Sequence, residues 1–232
     1  MRPPIGFGST ITFETTTMPR KNSHTLRLTL LGVGAMNSPR YEPAGLLVQY
    51  GRVRLLIDGG PDAVPQQKLA AWLVTDEHGE LISKIRKACR ERDLEPAVDK
   101  YSSDGLSIEP HTVVHTSHDA YGYAIEANGK KIVWAPEFLK FPRWAKAADL
   151  MFAEAAAWKR PILFRGSVGG HASVEQVAND AQKYRIRRLV YAHIGRPTIK
   201  AIDNGKRPAF GEFGSEGDVY LITKNTFSKR FR

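Results

Sequence analysis

Five of the seven histidines in this chain stand where predicted strands end, each close to Asp, Glu, Gly or Ser. They are His78, His115, His118, His171 and His193. An imidazole can bind a divalent metal or transfer a proton near neutral pH. Layered α/β folds gather side chains at the ends of their strands, so we expect these five to share one polar site. Taken singly, each has a simpler interpretation, such as a loop histidine that holds a turn.

Carboxylates accompany these histidines. Asp76 and Glu80 flank His78 in a loop of sequence Thr-Asp-Glu-His-Gly-Glu-Leu, Glu137 stands just past an apolar run, and Glu154 ends another. Carboxylate oxygens can bind divalent ions beside imidazole nitrogens.

Hydrophobic patterning predicts the elements that position these residues. The predicted strands are 26–34, 53–60, 71–75, 112–114, 122–126, 132–135, 150–154 and 188–192, and the predicted helices are 81–92 and 173–183. A turn is predicted at 129–131 and a loop at 193–197. Strands that alternate with helices predict a layered α/β fold. Gly32 and Gly34 form a tight turn in this prediction, because no third glycine completes a dinucleotide-binding pattern.

The composition is that of one globular domain. The chain has 232 residues, of which 42% are hydrophobic and 25% charged. We expect an irregular segment over 1–22, a single domain over 23–232 and a basic tail over 228–232. No apolar stretch of about 18 residues is present, so we expect no membrane association and a cytoplasmic location. The single Cys89 lies in a basic helical run and is interpreted as a packing residue.

A net charge of +10 favours anionic partners, because a positive surface concentrates phosphates near it. We expect a small anionic substrate, with nucleic acid as the alternative. Many of the basic residues lie in two short amphipathic stretches, 84–92 and 183–188, where a solvated helix face is the favoured interpretation. The sequence is compatible with a homo-oligomer and does not decide the oligomeric state.

The loop after the strand 71–75 resembles the signature of the metallo-β-lactamase superfamily, whose members carry H-x-H-x-D-H at this place. Here Asp76 stands for the first histidine, His78 matches the second, Glu80 replaces the aspartate and Leu81 replaces the last histidine. The resemblance extends over about residues 26 to 200. It implies an αββα sandwich, in which two mixed β-sheets are flanked by helices.

The resemblance also implies a metal centre with one or two divalent ions of zinc, manganese or iron. Its implied ligands are Asp76, His78, Glu80, His115, His118, Glu137 and His193, with His118 as second choice to His115. Asp76, His78 and His115 would form one site. Glu80, Glu137 and His193 would form the other, with Glu137 as a bridge. Asp58 would hold a histidine ligand from behind.

Glu154 and the segment around His171 resemble the ribonuclease Z and cyclic-phosphodiesterase branch of that superfamily, in which a glutamate and a histidine help to move a proton. The alternative is structural: Ser173 and Gln176 have the spacing of a capping box, and His171 then only precedes a helix. Arg196 would hold a substrate phosphate or form an ordinary loop salt bridge. The implied function is metal-dependent hydrolysis, with phosphodiesters as the first choice. The alternative is a fold that has lost its metals and serves as a binding or scaffolding protein, with nucleic acid among its partners.

Overall fold

The computed structural model describes residues 24–116 and 118–230. The segment 1–22, predicted to be irregular, lies outside them. In chain order the strands are β1 (Leu26–Gly32), β2 (Gly45–Tyr50), β3 (Val53–Asp58), β4 (Ala71–Leu73), β5 (Tyr101–Ser103), β6 (Leu106–Val113), β7 (Ala120–Ala127), β8 (Lys130–Ala135), β9 (Leu150–Ala155), β10 (Ile162–Leu163), β11 (Gly170–His171), β12 (Leu189–Ile194), β13 (Glu212–Phe213), β14 (Val219–Ile222) and β15 (Phe227–Arg230). The helices are α1 (Ile82–Arg90), α2 (Val174–Lys183) and α3 (Arg196–Asp203), with short 3₁₀ turns at Pro61–Ala63, Arg143–Ala145 and Arg165–Ser167.

Two mixed sheets make up the fold. The first has the order β15-β14-β1-β2-β3-β4 and the second the order β13-β12-β9-β8-β7-β6-β5. In the first sheet only β3 and β4 run parallel, whereas in the second β8, β9, β12 and β13 are parallel neighbours. The strands β10 and β11 pair as a separate small hairpin. The predicted fold, two mixed sheets flanked by helices, is confirmed.

The main core lies between the two sheets. Trp134, Phe152, Tyr191 and Tyr220 are among its fully buried side chains. A second cluster packs α1 against the first sheet and contains Cys89, so the predicted packing role of Cys89 is confirmed. No helix within residues 24–116 and 118–230 has the length and apolar character needed to cross a membrane.

The helix α2 begins as the sequence predicts. Ser173 Oγ accepts a hydrogen bond from the amide of Gln176, and the Gln176 side chain accepts from the amide of Ser173. This reciprocal pair satisfies two donors that the first turn of a helix otherwise leaves open. The capping box is therefore present, and it leaves the imidazole of His171 available for other contacts.

Two local predictions are wrong. The predicted loop 193–197 is the end of β12 followed by α3, which begins at Arg196 with Pro197 in its first turn. Proline suits this position because the first-turn amides have no partner within the helix. The basic tail predicted from Ser228 is a strand up to Arg230, paired with β14.

Candidate metal centre

Glu154, the fifth residue of β9, is fully buried and is the central anchor of the site. Its Oε1 accepts hydrogen bonds from the amide of Ala156 at 2.8 Å and from His193 Nδ1 at 3.0 Å. Its Oε2 accepts from the amide of Phe138 at 3.2 Å and from His171 Nδ1 at 2.8 Å. Four donors thus satisfy a carboxylate that burial alone would make costly.

Glu154, His171 and His193 bring one potential ligand atom each within 4.8 Å of one another. Because both oxygens of Glu154 already accept two protein hydrogen bonds, we interpret Glu154 as the group that orients the two histidines, not as a ligand beside them. A carboxylate that fixes the Nδ1 edge of an imidazole presents the opposite nitrogen, Nε2, for metal binding or proton transfer.

His115 is buried and is anchored by the backbone of the hairpin β10–β11. Its Nδ1 lies 3.0 Å from the carbonyl oxygen of Gly170, and its own carbonyl accepts from the Gly170 amide at 2.8 Å. Only glycines permit this approach: a Cβ on Gly169 would lie 1.8 Å from the His115 oxygen, and Gly170 has a φ of 153°. The carbonyl partner keeps a proton on Nδ1 and directs Nε2 toward the Glu137 carboxylate.

Glu137 connects His115 with His193. Its Oε2 lies 2.7 Å from His115 Nε2, and its Oε1 lies 3.2 Å from His193 Nε2. The register between β9 and β12 shifts between Tyr191 and Ile194, which places His193 beside Glu154. The His193 ring therefore lies between two carboxylates.

The charges of this group are strongly coupled. Burial opposes ionisation of Glu154, but the charges of His193 and His171 outweigh it and lower the pKa of Glu154 to about 2. Burial likewise opposes ionisation of Glu137, and His193 and His115 hold its pKa well below 4.5. For His193, burial favours the neutral ring, but Glu137 and Glu154 raise its pKa to about 10. The two carboxylates therefore favour the imidazolium form of His193, which lies between them.

These residues fit a divalent metal. The Nε2 atoms of His115 and His193 both face the Glu137 carboxylate, and both rings are held at Nδ1 by an acceptor. The carboxylates of Glu137 and Glu154 favour positive charge between these atoms, and the same carboxylates raise the pKa of His193. A divalent cation supplies that charge to a nitrogen and oxygen donor set of the kind that zinc, manganese and iron accept.

A second, more exposed group lies on the loops that follow β4 and β6. Asp76 Oδ2 lies 2.9 Å from His118 Nε2, and the rings of His78 and His118 are 5.0 Å apart. Asp76 Oδ1 accepts the amide of His78 at 2.7 Å, which fixes the turn of this loop. Glu80 is exposed and, within the described residues, forms no hydrogen bond or ion pair with the others.

Asp58 has partners other than the expected histidine. Its Oδ1 accepts from the Thr75 amide at 2.7 Å and the Thr75 hydroxyl at 2.9 Å, and its Oδ2 accepts from Trp134 Nε1 at 2.7 Å. Burial raises the pKa of this carboxyl to about 6. Asp58 therefore positions the start of the loop that carries Asp76, and it acts through Thr75 instead of an imidazole.

One cavity of about 590 Å³ joins both groups. Its lining includes the exposed residues and the buried ones alike: Asp58, Asp76, His78, Glu80, His118, His115, Glu137, His171 and His193. Arg196 lies at its edge, exposed, with Nη2 3.4 Å from the carbonyl of Asn37. Leu81 also lines the cavity, so the residue that replaces the last histidine of the motif presents an apolar side chain there.

The grouping differs from the one expected from the sequence. His115 contacts Glu137 instead of Asp76 or His78, and His118 is the partner of Asp76. Sequence reasoning missed the link between His193 and Glu154 and the backbone partner of His115. The Gly-Gly pair before His171 was a signal for the latter, because consecutive glycines often mark a close approach of two backbones.

A family model described as a beta-lactamase superfamily domain matches residues 65–194, more than half of the chain. A search of curated proteins finds no match. Among solved structures, the metallo-beta-lactamase fold protein YhfI from Bacillus subtilis is similar with a TM-score of 0.67 and 16% identity, over 86% of this chain and all of that one.

Two further structures have the same fold. A diphosphatase from the PhnP family has a TM-score of 0.63 and 17% identity, over 86% of this chain and 98% of its own. The short form of human tRNase Z has a TM-score of 0.57 and 14% identity, over 82% of this chain and 96% of its own.

Proposed function

Because this chain belongs to the metallo-β-lactamase superfamily, we propose that it is a metal-dependent hydrolase of small anionic esters, with phosphodiesters as the first substrate class. One observation carries the proposal. The Nε2 atoms of His115 and His193 face Glu137, and both rings are fixed from behind by acceptors at Nδ1. A domain that only binds a partner does not require two imidazoles held in this way.

His115, Glu137 and His193 would hold one divalent ion. A bound divalent ion supplies a water of lowered pKa and polarises the ester. Asp76, His78 and His118 line the same cavity and offer donors for a second ion, with Glu80 on the same loop. Zinc, manganese and iron all suit such mixed nitrogen and oxygen donors.

His171 is the proposed proton donor to the leaving group. Its ring lines the cavity, packs beside the rings of His115 and His193 at 4.8 and 5.3 Å, and is held at Nδ1 by Glu154. The buried carboxylate binds the Nδ1 edge and fixes the orientation of the ring, as a general acid requires. Arg196 at the cavity edge would bind the charged oxygens of the substrate.

The size of the cavity and the similarity to solved structures both support this substrate class. A cavity of about 590 Å³ lies within the range of small-molecule sites. One similar structure is a diphosphatase and another is a tRNase Z, which agrees with phosphate esters.

A non-catalytic binding protein is the second candidate. Leu81 favours it, because an apolar side chain lines the cavity where the motif of the superfamily has a histidine. The two candidates differ in metal content.

The test is elemental analysis of the protein purified without chelator, beside His193→Ala and the control His111→Ala. His111 stacks on Trp144, away from the cavity. We expect one or two equivalents of metal in the native protein and in His111→Ala, and a loss in His193→Ala. Hydrolysis of bis(p-nitrophenyl) phosphate should follow the metal. Absence of metal after incubation with zinc, manganese and iron would exclude the hydrolase and leave the binding protein.

A further inference from the structure

Two exposed large apolar side chains lie in the lining of the metal-centre cavity. Within residues 24–116 and 118–230, the exposed large hydrophobic residues are Met36, Val114, Ile162, Leu163 and Val168, with exposed fractions between 37 and 59%. Met36 and Ile162 line the cavity of the metal centre. Val114 directly precedes His115, and the other two lie on the hairpin segment that begins with Ile162. Exposed apolar residues that cluster at a cavity mark a binding surface.

Phe164 brings this apolar surface into contact with the reactive residues. Its ring packs edge-on against His115 at 5.5 Å and against His171 at 5.3 Å, and it lines the cavity. Met36, Ile162 and Phe164 all line the cavity, and we refer to these three residues as the apolar rim. A group bound at the rim would lie beside the bond that is cleaved.

The rim is attached firmly to the site. The amide of Phe164 donates to the carbonyl of Gly169 at 2.9 Å, and Ile162 pairs with His171 across the hairpin. The glycine segment that anchors His115 thus also holds β10, which contains Ile162, and Phe164 directly after it. A pre-formed apolar wall binds its ligand with little ordering cost.

The charges of the cavity lining restrict the rest of the substrate. Asp58, Asp76, Glu80 and Glu137 line it, whereas Arg196 is the one lysine or arginine that residues 24–116 and 118–230 contribute to the lining. Binding of a polyanion needs several cationic contacts along its length. This lining suits a substrate with one anionic group, and it favours a substrate whose other parts are uncharged.

From these lining residues, their attachment and these charges, we propose that the substrate carries an alkyl chain, which Met36, Ile162 and Phe164 bind beside the ester. The proposal rests on the proposed hydrolase function and specifies its substrate class. The reaction is the one proposed above: the same ester bond is hydrolysed by water, and His171 donates the proton to the leaving group. The rim contributes only selection among esters.

The test compares methyl and hexyl p-nitrophenyl phosphodiesters as substrates, and methyl and hexyl phosphate as ligands in calorimetry. Each buried methylene increases affinity by a factor of about four. Burial of half of the five additional methylenes therefore predicts that the hexyl compounds bind, and react in kcat/KM, about thirtyfold better than the methyl compounds. Ile162→Ser removes part of the rim and should reduce the preference to about fivefold or less. Leu163→Ser is the matched control, because Leu163 is the exposed neighbour that does not line the cavity.

The two measurements separate the two proposals. A hexyl preference in binding that Ile162→Ser lowers and Leu163→Ser leaves intact, without any hydrolysis, supports the rim and excludes the hydrolase. Hydrolysis of both esters at equal kcat/KM, with equal binding, supports the hydrolase and overturns the rim. Equal effects of the two serine variants, or no binding of either phosphate, also overturn the rim.

Discussion

Replacement of Glu154 by glutamine changes one atom at the centre of the site. Each oxygen of Glu154 accepts one backbone amide and one imidazole. In either orientation of the amide, its NH₂ group faces two donors, so two buried N–H groups lose their acceptor. At about 1–3 kcal/mol for each, we expect the free energy of unfolding to fall by about 4 kcal/mol. That is a large part of the stability of a typical domain, about 5–15 kcal/mol.

The assay is urea unfolding of metal-free protein at pH 7, followed by competitive metal titration of the folded protein. Loss of the carboxylate behind two imidazoles should lower metal affinity by about 10- to 100-fold. Glu212→Gln is the control, since Glu212 is partly exposed and pairs with Arg188 and Lys229, where a loss of about 1 kcal/mol or less is expected. Equal unfolding midpoints for the two variants, with unchanged metal affinity, would refute the anchoring role of Glu154.

Two more outcomes follow from the same geometry. The pKa of His193 is raised in the folded protein from 6.5 to about 10, so its stabilising contribution is complete below pH 6.5 and is lost as the pH rises to about 10. The Tm of the metal-free protein should therefore decrease over this range, and a His193→Ala profile with the same slope would contradict the assignment. Gly169→Ala would place a Cβ 1.8 Å from the carbonyl of His115, so we expect about 3 kcal/mol of destabilisation and reduced metal content. Gly60→Ala, where the nearest atom is at 3.5 Å, should change the unfolding midpoint little, and similar values for both alanine variants would exclude the tight contact.

Hydrophobic patterning located most of the strands that carry the site, but not the hairpin β10–β11 that contains His171. The eight predicted strands all correspond to observed ones, because buried β-branched and aromatic runs bounded by glycine or charge are local signals. Strand β2, which pairs with β1 and β3, was not predicted. Its sequence, Gly-Leu-Leu-Val-Gln-Tyr, is a short apolar run of the kind that periodicity leaves ambiguous.

The partners within the site were harder to predict than its members. Glu154 and His193 are 39 positions apart, and their contact depends on the parallel pairing of β9 with β12 and on a register shift. A sequence pattern contains no information about such a shift. The partner of His115 is a backbone carbonyl, which carries no side-chain signal. The resemblance to the metallo-β-lactamase superfamily therefore suggested which residues are ligands, whereas the structure shows which of these residues lie together.

Asp58 belongs to β3 in the first sheet, and Trp134, which donates to it, belongs to β8 in the second. The same carboxylate holds Thr75, from which the Asp76 loop begins. One buried side chain thus links the two sheets directly beside the cavity and also holds the loop that carries Asp76 and His78. A change at Asp58 would then disturb both sheets and that loop together, whereas Met36 and Ile162 can vary without affecting this contact.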